Sequence, residues 1–359
     1  MEIVNDTPFQ VEALPMKGPG NRTFLIIIVK GTFDIRSGET AAVSPEQIPV
    51  AFGDEVYDEE EGGSVKFESD IVPFKPRGDV VLVGKAYAPG GSPAESADVS
   101  LRVGNARKTI RVIGDRHWEY SGRLFPVLVS DPEPFTEMDI VYERAFGGID
   151  TKGSGWCEEN PSGRGFYGKK SKEVLDNAPL PNLEDPKELI KDWDDHPKPV
   201  GFGFYSRSAA PRSGYLGTYD DKWREERSPD PPEDFRFDYY NGAHPDLQVE
   251  GYLKGDEGVE LVNLDPDGNT QFQLPGVHLS LEVTRTDEFD IAESSASEED
   301  DTEYEEPEEP SITTEEIQLN LDTLCLIPDE KRLYMVWRGL CPVKDLTAVE
   351  VAKVEVAQV

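Results

Sequence analysis

The run FLIIIV at residues 24–29 constrains the fold more than any other stretch of the chain. Six consecutive apolar residues carry neither a helical stripe nor a strict alternation. Crossing a bilayer would take about 20 such residues, and this run passes at once into KGTFDI. It reads as a strand buried on both faces. DVVLVGKAYAP (79–89) is of the same kind, apolar at Val80, Leu82 and Ala86 and also at Val81 and Val83. DVSLRVG (98–104) and RKTIRVIG (107–114) are separated only by Asn105 and Ala106, which predicts a hairpin. Strands return at LQVEGYL (247–253), VELVNL (259–264), VHLSLEV (277–283), IQLNLDTLCLIP (317–328) and RLYMVWRG (332–339). The last two flank Asp329, Glu330 and Lys331, a hairpin turn.

Between these strand groups lies a stretch dense in Gly, Pro and aromatic residues. The chain holds 32 Gly and 29 Pro, and such frequent punctuation favours short strands and turns over long helices. Two short helices are expected in the middle. In DPKELIKDW (185–193), Asp185 can cap, Pro186 suits the first helical position and Glu188 completes a capping box. In YDDKWREERSP (219–229), the pattern stops at Pro229. The expected fold is all-β or β-dominated, with antiparallel sandwich-like sheets, a Gly/Pro-rich loop region and two short helices. In chain order this gives an N-terminal β region (1–150), a loop-rich centre (151–245), a C-terminal β region (246–342) and a tail (343–359). Within the C-terminal region, residues 287–310 hold 13 acidic residues among 24 and no basic one, which predicts a disordered insertion.

Charge narrows the partners. With 36 basic and 72 acidic side chains the formal net charge is −36. Such a balance repels phosphate backbones and anionic membranes, so neither nucleic acid nor membrane is expected as a partner. A basic partner or a solvated acidic surface both fit it. The three cysteines, Cys157, Cys325 and Cys341, form no C-x-x-C, and their odd count argues against a disulfide framework and for a reducing compartment. The stretch MEIVNDTPF carries Glu2 and Asp6 where a signal peptide would be basic and then apolar. A soluble, cytoplasmic protein is the expectation.

Several stretches invite a chemical reading. NPSGRGFYGKKS (160–171) contains G-x-G-x-x-G at Gly163, Gly165 and Gly168, and G-x-x-x-x-G-K ending at Lys169. A P-loop needs Ser or Thr directly after the lysine, where Lys170 stands, and both motifs need a strand before and a helix after. A glycine loop is therefore expected there, with no nucleotide. DPDGN (265–269) begins like a calcium loop but has Thr270 and Gly276 where the EF-hand requires Gly and Glu, so a turn explains it. His117, His196, His244 and His278 are not spaced as metal ligands, and no G-x-S-x-G is present. No catalytic, metal or cofactor residue is assigned, and the chain is not expected to be an enzyme. VYERAFGG (141–148) remains, with VWRG (336–339) much later. Tyr142, Phe146 and Trp337 read as core aromatics, and Glu143 with Arg144 as a buried charge pair; Arg338 follows Trp337. These residues serve either an aromatic corner or contact with a partner. Trp156, Trp193 and Trp223, on the loops, are the residue type that anchors interfaces.

Seven words in colinear order carry a resemblance: IVNDTPF (3–9), VKGTFDI (29–35), SDIVPFKPRGDVVLVGKAYAPGG (69–91), VGNARKTIRVIGDRHW (103–118), PFTEMDIVYERAFGG (134–148), NPSGRGF (160–166) and LDTLCLIPDEKRLYMVWRG (321–339). Together they resemble a bacterial family known mainly from type VI secretion clusters, whose domain is still catalogued as one of unknown function. The resemblance implies an adaptor or chaperone in the cytoplasm. Its partners would be a secreted effector protein and a spike component of the VgrG or PAAR type. It also implies that NPSGRGF is the family's own Asn-Pro-x-Gly-x-Gly loop. The family has no accepted catalytic residues to carry over, and its usual pattern lacks an acidic stretch like 287–310. Two other readings stand beside it: a hydrolase or toxin without a recognisable motif, and a structural interaction module without a loading role.

Overall fold

The FLIIIV run lies inside a 12-residue strand, Thr23–Asp34, at the heart of the molecule. Leu25 to Val29 are fully buried, as an apolar strand covered on both faces must be. The structure, a computed structural model, describes residues 1–58, 63–122, 124–150, 155–287, 311–343 and 349–356. Thr23–Asp34 pairs antiparallel with Gln10–Lys17 on one side and with Arg332–Pro342 on the other. Arg332–Pro342 pairs antiparallel with Leu319–Ile327 through the hairpin expected at Asp329 to Lys331, where Lys331 takes the left-handed conformation at φ 54°. Leu319–Ile327 then pairs in parallel with Gly78–Leu82, beyond which lies the two-residue Gln248–Val249. With Ala42–Val43 on Thr23–Asp34, seven strands form this sheet among the described residues.

A five-stranded sheet holds the predicted hairpin Ser96–Val103/Ala106–Ile113, with the turn at Gly104 and Asn105. It continues through Gly258–Asp265 and Gly268–Gln273 on one side and Leu183–Glu184 on the other. A four-stranded sheet orders Glu2–Asp6, Val349–Val356, Leu279–Asp287 and Ser311–Glu316, with Glu2–Asp6 parallel to Val349–Val356. Strand-dominated architecture is thus the finding, with parallel pairings at Glu2–Asp6 and Gly78–Leu82 among mostly antiparallel ones. In each of the three larger sheets a strand from the first 150 residues pairs with one from beyond residue 246. One apolar cluster joins all three, from Leu101 and Ile110 through Ile27 and Leu324 to Val283 and Val354. A smaller cluster around Trp118, Phe146, Cys157 and Leu175 packs beside it.

Close approach and a side-chain hydrogen bond shape Thr23–Asp34 at Gly31 and Thr32. A Cβ on Gly31 would lie 2.8 Å from the Phe9 ring, which stacks on Trp337 with centroids 5.9 Å apart. Where Ala42–Val43 stops pairing, the Gln47 side chain takes over the Thr32 backbone, accepting its N–H at 2.8 Å and donating to its carbonyl at 3.0 Å.

Residues 69–79 are tied to the seven-stranded sheet by buried charge. Lys30 meets Asp70 at 2.7 Å, and Arg338 meets Asp322 at 2.7 Å while donating to the carbonyls of Asp70 and Val72. Lys75 bridges Asp79 at 2.9 Å and Thr323 at 2.8 Å. Removing one partner of such a pair costs about 3–5 kcal/mol, because the other charge stays buried alone.

Two expectations are corrected. DPKELIKDW is a turn, because acidic side chains take the amides that a helix would use: Asp185 accepts from Lys187 N–H, Glu184 from Ile190 N–H, and Asp195 from Lys191 and Asp192 N–H, all at 2.8 Å. Among the described residues the two short helices are instead Lys172–Leu175 and the expected Asp221–Glu226, capped by Asp220, which accepts from Trp223 N–H. LQVEGYL shrinks to Gln248–Val249, because Gly251 and Tyr252 turn at φ 73° and 70°. Of the acidic insertion, residues 288–310 lie outside the described residues, as do 344–348 and 357–359 of the tail. Among the described residues no helix is long and apolar enough to cross a membrane.

Candidate functional site

The glycine loop is closed by its own backbone. Asn160 is buried, and its amide donates to the carbonyls of Tyr142 at 2.8 Å and Phe146 at 3.0 Å. Phe146–Gly147 pairs in parallel with Arg164–Gly165. Gly147, at φ 149°, could not carry a Cβ, which would lie 2.1 Å from the Asn160 carbonyl oxygen. The amides a phosphate would need are taken: Gly163 donates to Asn160, Arg164 to Ala145, Phe166 to Gly147, and Gly168 to the Asp150 carboxylate. The helix that follows has only four residues. DPDGN is likewise a turn, in which Lys331 reaches Asp265 at 2.5 Å and Asp267 at 2.8 Å, so a side-chain ammonium sits among these carboxylates.

The candidate residues of the aromatic corner face inward. Tyr142 and Phe146 are 5% and 3% exposed, and Trp337 and Arg338 are 4% and 2% exposed. Glu143 and Arg144 do not pair with each other. The Glu143 carboxylate accepts from the backbone N–H of Ser64 and from its hydroxyl at 2.7 Å, whereas Arg144 donates to Asn182 at 3.1 Å and reaches Asp115 at 3.5 Å. Adjacent residues on this tight turn point to different neighbours. Of the three loop tryptophans only Trp156 is widely exposed, at 48%. Trp193 packs against the smaller core, and Trp223 donates its indole N–H to the Asp230 carbonyl at 2.8 Å with Tyr219 edge-on at 4.6 Å.

The more open face is one that the sequence reading did not single out. FRFDYY (235–240) forms a half-buried aromatic cluster: Phe235 meets Phe237 at 5.3 Å and Tyr240 at 5.9 Å, Tyr239 meets Tyr240 at 5.3 Å, and Phe74 joins at 5.6 Å from Phe237. A cleft of about 450 Å³ opens on one side and one of about 430 Å³ on the other. Alternating aromatic and charged residues between Pro232 and Pro245 were the available signal.

The larger cleft is built on the buried carboxylate of Asp79. It accepts from Lys75 at 2.9 Å, the Asn241 amide at 3.0 Å and the backbone N–H of Gly242 at 2.9 Å, and so fixes the turn that carries Asn241. Arg212, buried to 2% exposure, donates to the Tyr239 carbonyl at 2.9 Å and to Glu68 at 2.7 Å. Arg77 donates to Glu250 at 2.6 Å and Asp238 at 3.0 Å, and the Glu250 hydrogen bond chiefly raises its pKa. Arg236 lies over the Tyr215 ring at 4.6 Å and reaches Asp238 at 3.1 Å. Beneath this wall, burial and the nearby Lys108 push the His244 imidazole down to about 4, and its Nδ1 accepts from Asp246 N–H at 3.1 Å. Burial also pushes the Cys325 thiol up to about 12 and raises those of Cys157 and Cys341, which disfavours their thiolates. Among the described residues no group of three or more His, Cys, Asp or Glu is placed to hold a metal ion.

The model of a bacterial family described as uncharacterized conserved proteins, DUF2169, matches residues 20–338, and the chain belongs to that family. No curated protein and no solved structure matches it.

Proposed function

We propose that this DUF2169 member is a cytoplasmic adaptor, or chaperone, that holds a secreted effector and presents it to the spike of a type VI secretion machine. The observation that carries the reading is the half-buried aromatic cluster at 235–240, flanked by two clefts on a sheet scaffold. Aromatic and arginine side chains in partly desolvated pockets are what anchor protein partners. The seven colinear sequence words add to it. The role is non-enzymatic, and the net charge of −36 favours basic clients through faster, salt-sensitive association. Deleting the gene in the native host tests this. The cognate effector is expected to disappear from the medium while the tube protein is still exported. Normal secretion of every effector would refute it.

A further inference from the structure

The seven-stranded sheet ends at Gln10–Lys17, and hydrogen-bond geometry shows which backbone groups of that strand are spare. Thr32 turns its N–H and carbonyl away from Arg332–Pro342, toward Gln47 and Ser44. Successive residues of a strand turn these groups to opposite sides. Phe24, Ile26, Ile28 and Lys30 therefore turn theirs the same way as Thr32, toward Gln10–Lys17. Their partners Met16, Leu14, Glu12 and Gln10 use their own groups in those pairs. Val11, Ala13, Pro15 and Lys17 are left pointing outward. Pro15, which has no N–H, stands at one of these outward positions, where no ladder bond is lost. The N–H groups of Val11, Ala13 and Lys17 and the carbonyls of all four lie along one line, and among the described residues no backbone group meets them.

The other edges of the three larger sheets are covered, short or charged. Gly268–Gln273 is covered by residues 38–41, where Gly38 donates to the Gln271 carbonyl at 2.7 Å and Ala41 to that of Gln273 at 2.9 Å. Leu183–Glu184 and Gln248–Val249 have two residues each. Glu2 and Asp6 mark one edge of the four-stranded sheet and Glu315 and Glu316 the other, and charge blunts an edge. Gln10–Lys17 has eight residues, with Val11, Ala13, Leu14 and Met16 apolar and Glu12 balanced by Lys17. The strand leads into the cleft of about 430 Å³, which Lys17 and Gly18 line together with Pro232, Phe235, Phe237 and Tyr240.

A row of spare main-chain donors and acceptors is complementary to an extended main chain. We infer that a partner protein adds an extended segment to Gln10–Lys17 as a further strand, and that an apolar side chain near one end of the segment enters the aromatic cleft. Pro15 sets the register, because a carbonyl placed against it finds no donor. A second copy of this chain is the poorer occupant, since two molecules of charge −36 repel each other. The inference rests on the adaptor reading only for the identity of the partner.

The probe is a set of end-capped octapeptides selected from a random library on the full chain, with affinity read by fluorescence anisotropy. N-methylation along a selected peptide is expected to weaken binding about tenfold or more at every second residue and little at those between, because only alternate N–H groups face the edge. Ala13→Pro removes an N–H that bonds nothing in the fold, so it should melt within a few degrees of wild type and weaken the peptides about tenfold or more. Ala13→Ser keeps that N–H and should bind as wild type does. If Ala13→Pro fails to fold, the N-methyl series on the wild-type chain decides. A photo-crosslinker in place of the peptide's apolar end residue should label residues 235–240. No selected peptide, N-methyl sensitivity without the period of two, or labelling elsewhere would overturn the assignment. A dimer in sedimentation that Ala13→Pro dissociates would overturn it too, by making a second copy the occupant. If peptide selection fails while gene deletion still blocks effector export, strand addition falls and the adaptor reading stands. If peptides bind as expected while export is normal, the reverse holds.

Discussion

The glycine loop at 160–166 and the cleft around Arg212 are made from similar materials, Gly, Pro, aromatic and Arg, and they end in opposite states. In the loop the polar groups turn inward: Asn160 serves two carbonyls, Arg164 donates to the Glu143 carbonyl at 2.8 Å, and glycines let backbones meet without side chains between them. In the cleft a donor and an acceptor are left over, and the ion pairs on the rim face water. Composition therefore does not separate architecture from recognition. The separating property is whether a region's polar atoms are satisfied within the fold.

The largest effects should fall on the loop. Phe146→Ala empties a site 3% exposed, packed on His196 at 5.6 Å, and is expected to cost about 3–5 kcal/mol. Asn160→Ala strands the carbonyls of Tyr142 and Phe146, at about 1–3 kcal/mol each. Tyr215→Ala in the cleft removes a partly exposed cation–π contact and should cost only about 0.5–1 kcal/mol. Urea denaturation of the three variants measures this order. Equal losses in the two regions would erase the contrast.

A smaller effect should belong to the cleft side. His244 titrates near 6.5 when unfolded and near 4 when folded, held down first by burial and then by Lys108 and Lys198 against Asp246 and Asp185. Between these values the unfolded chain takes up a proton that the folded chain refuses. Stability from this group is thus complete above about pH 6.5 and is lost as pH falls toward 4. At about 1.4 kcal/mol per pH unit, the loss by pH 5 is roughly 2 kcal/mol. His244→Asn keeps an acceptor for the Asp246 N–H, so its stability should fall less than wild type between pH 7.5 and pH 5, by about that amount. Parallel curves would show that His244 is not held neutral, and would remove pH as a distinction between the regions.

What was legible in the sequence was local. FLIIIV and DVVLV announce strands covered on both faces, and the hairpins at residues 104–105 and 328–331 show in their spacing. Pairing between distant segments was not legible, because periodicity reports the face of a strand and not its neighbour. Nothing local places Gly78–Leu82 parallel to Leu319–Ile327, or Lys30 on Asp70. The failed helix at 185–193 has the same cause: its capping signals are sound, but Glu184, part of the five-stranded sheet, holds the Ile190 amide and diverts the chain. The cleft escaped notice because its key atoms come from Arg77, Arg212 and Asn241, and only the fold assembles them.

The smallest expected effect is none, and it is the sharpest test of the loop. Sequence alone places a lysine and three glycines as a phosphate cradle would, yet Gly163, Arg164, Phe166 and Gly168 all donate their N–H groups within the protein. Lys169 is exposed beyond them, a cation without the ring of amides that would hold a phosphate beside it. A ligand at a hundred times its dissociation constant stabilises the folded state by about 2.7 kcal/mol, a shift that calorimetry resolves easily. ATP, GTP and NAD at millimolar concentration, with and without magnesium, should leave the melting temperature where it was, and Lys169→Ala should melt with wild type. A saturable rise that Lys169→Ala abolishes would mean that the loop opens and frees its amides. The loop would then join the cleft as a region with unsatisfied capacity, and the division drawn between them would fall.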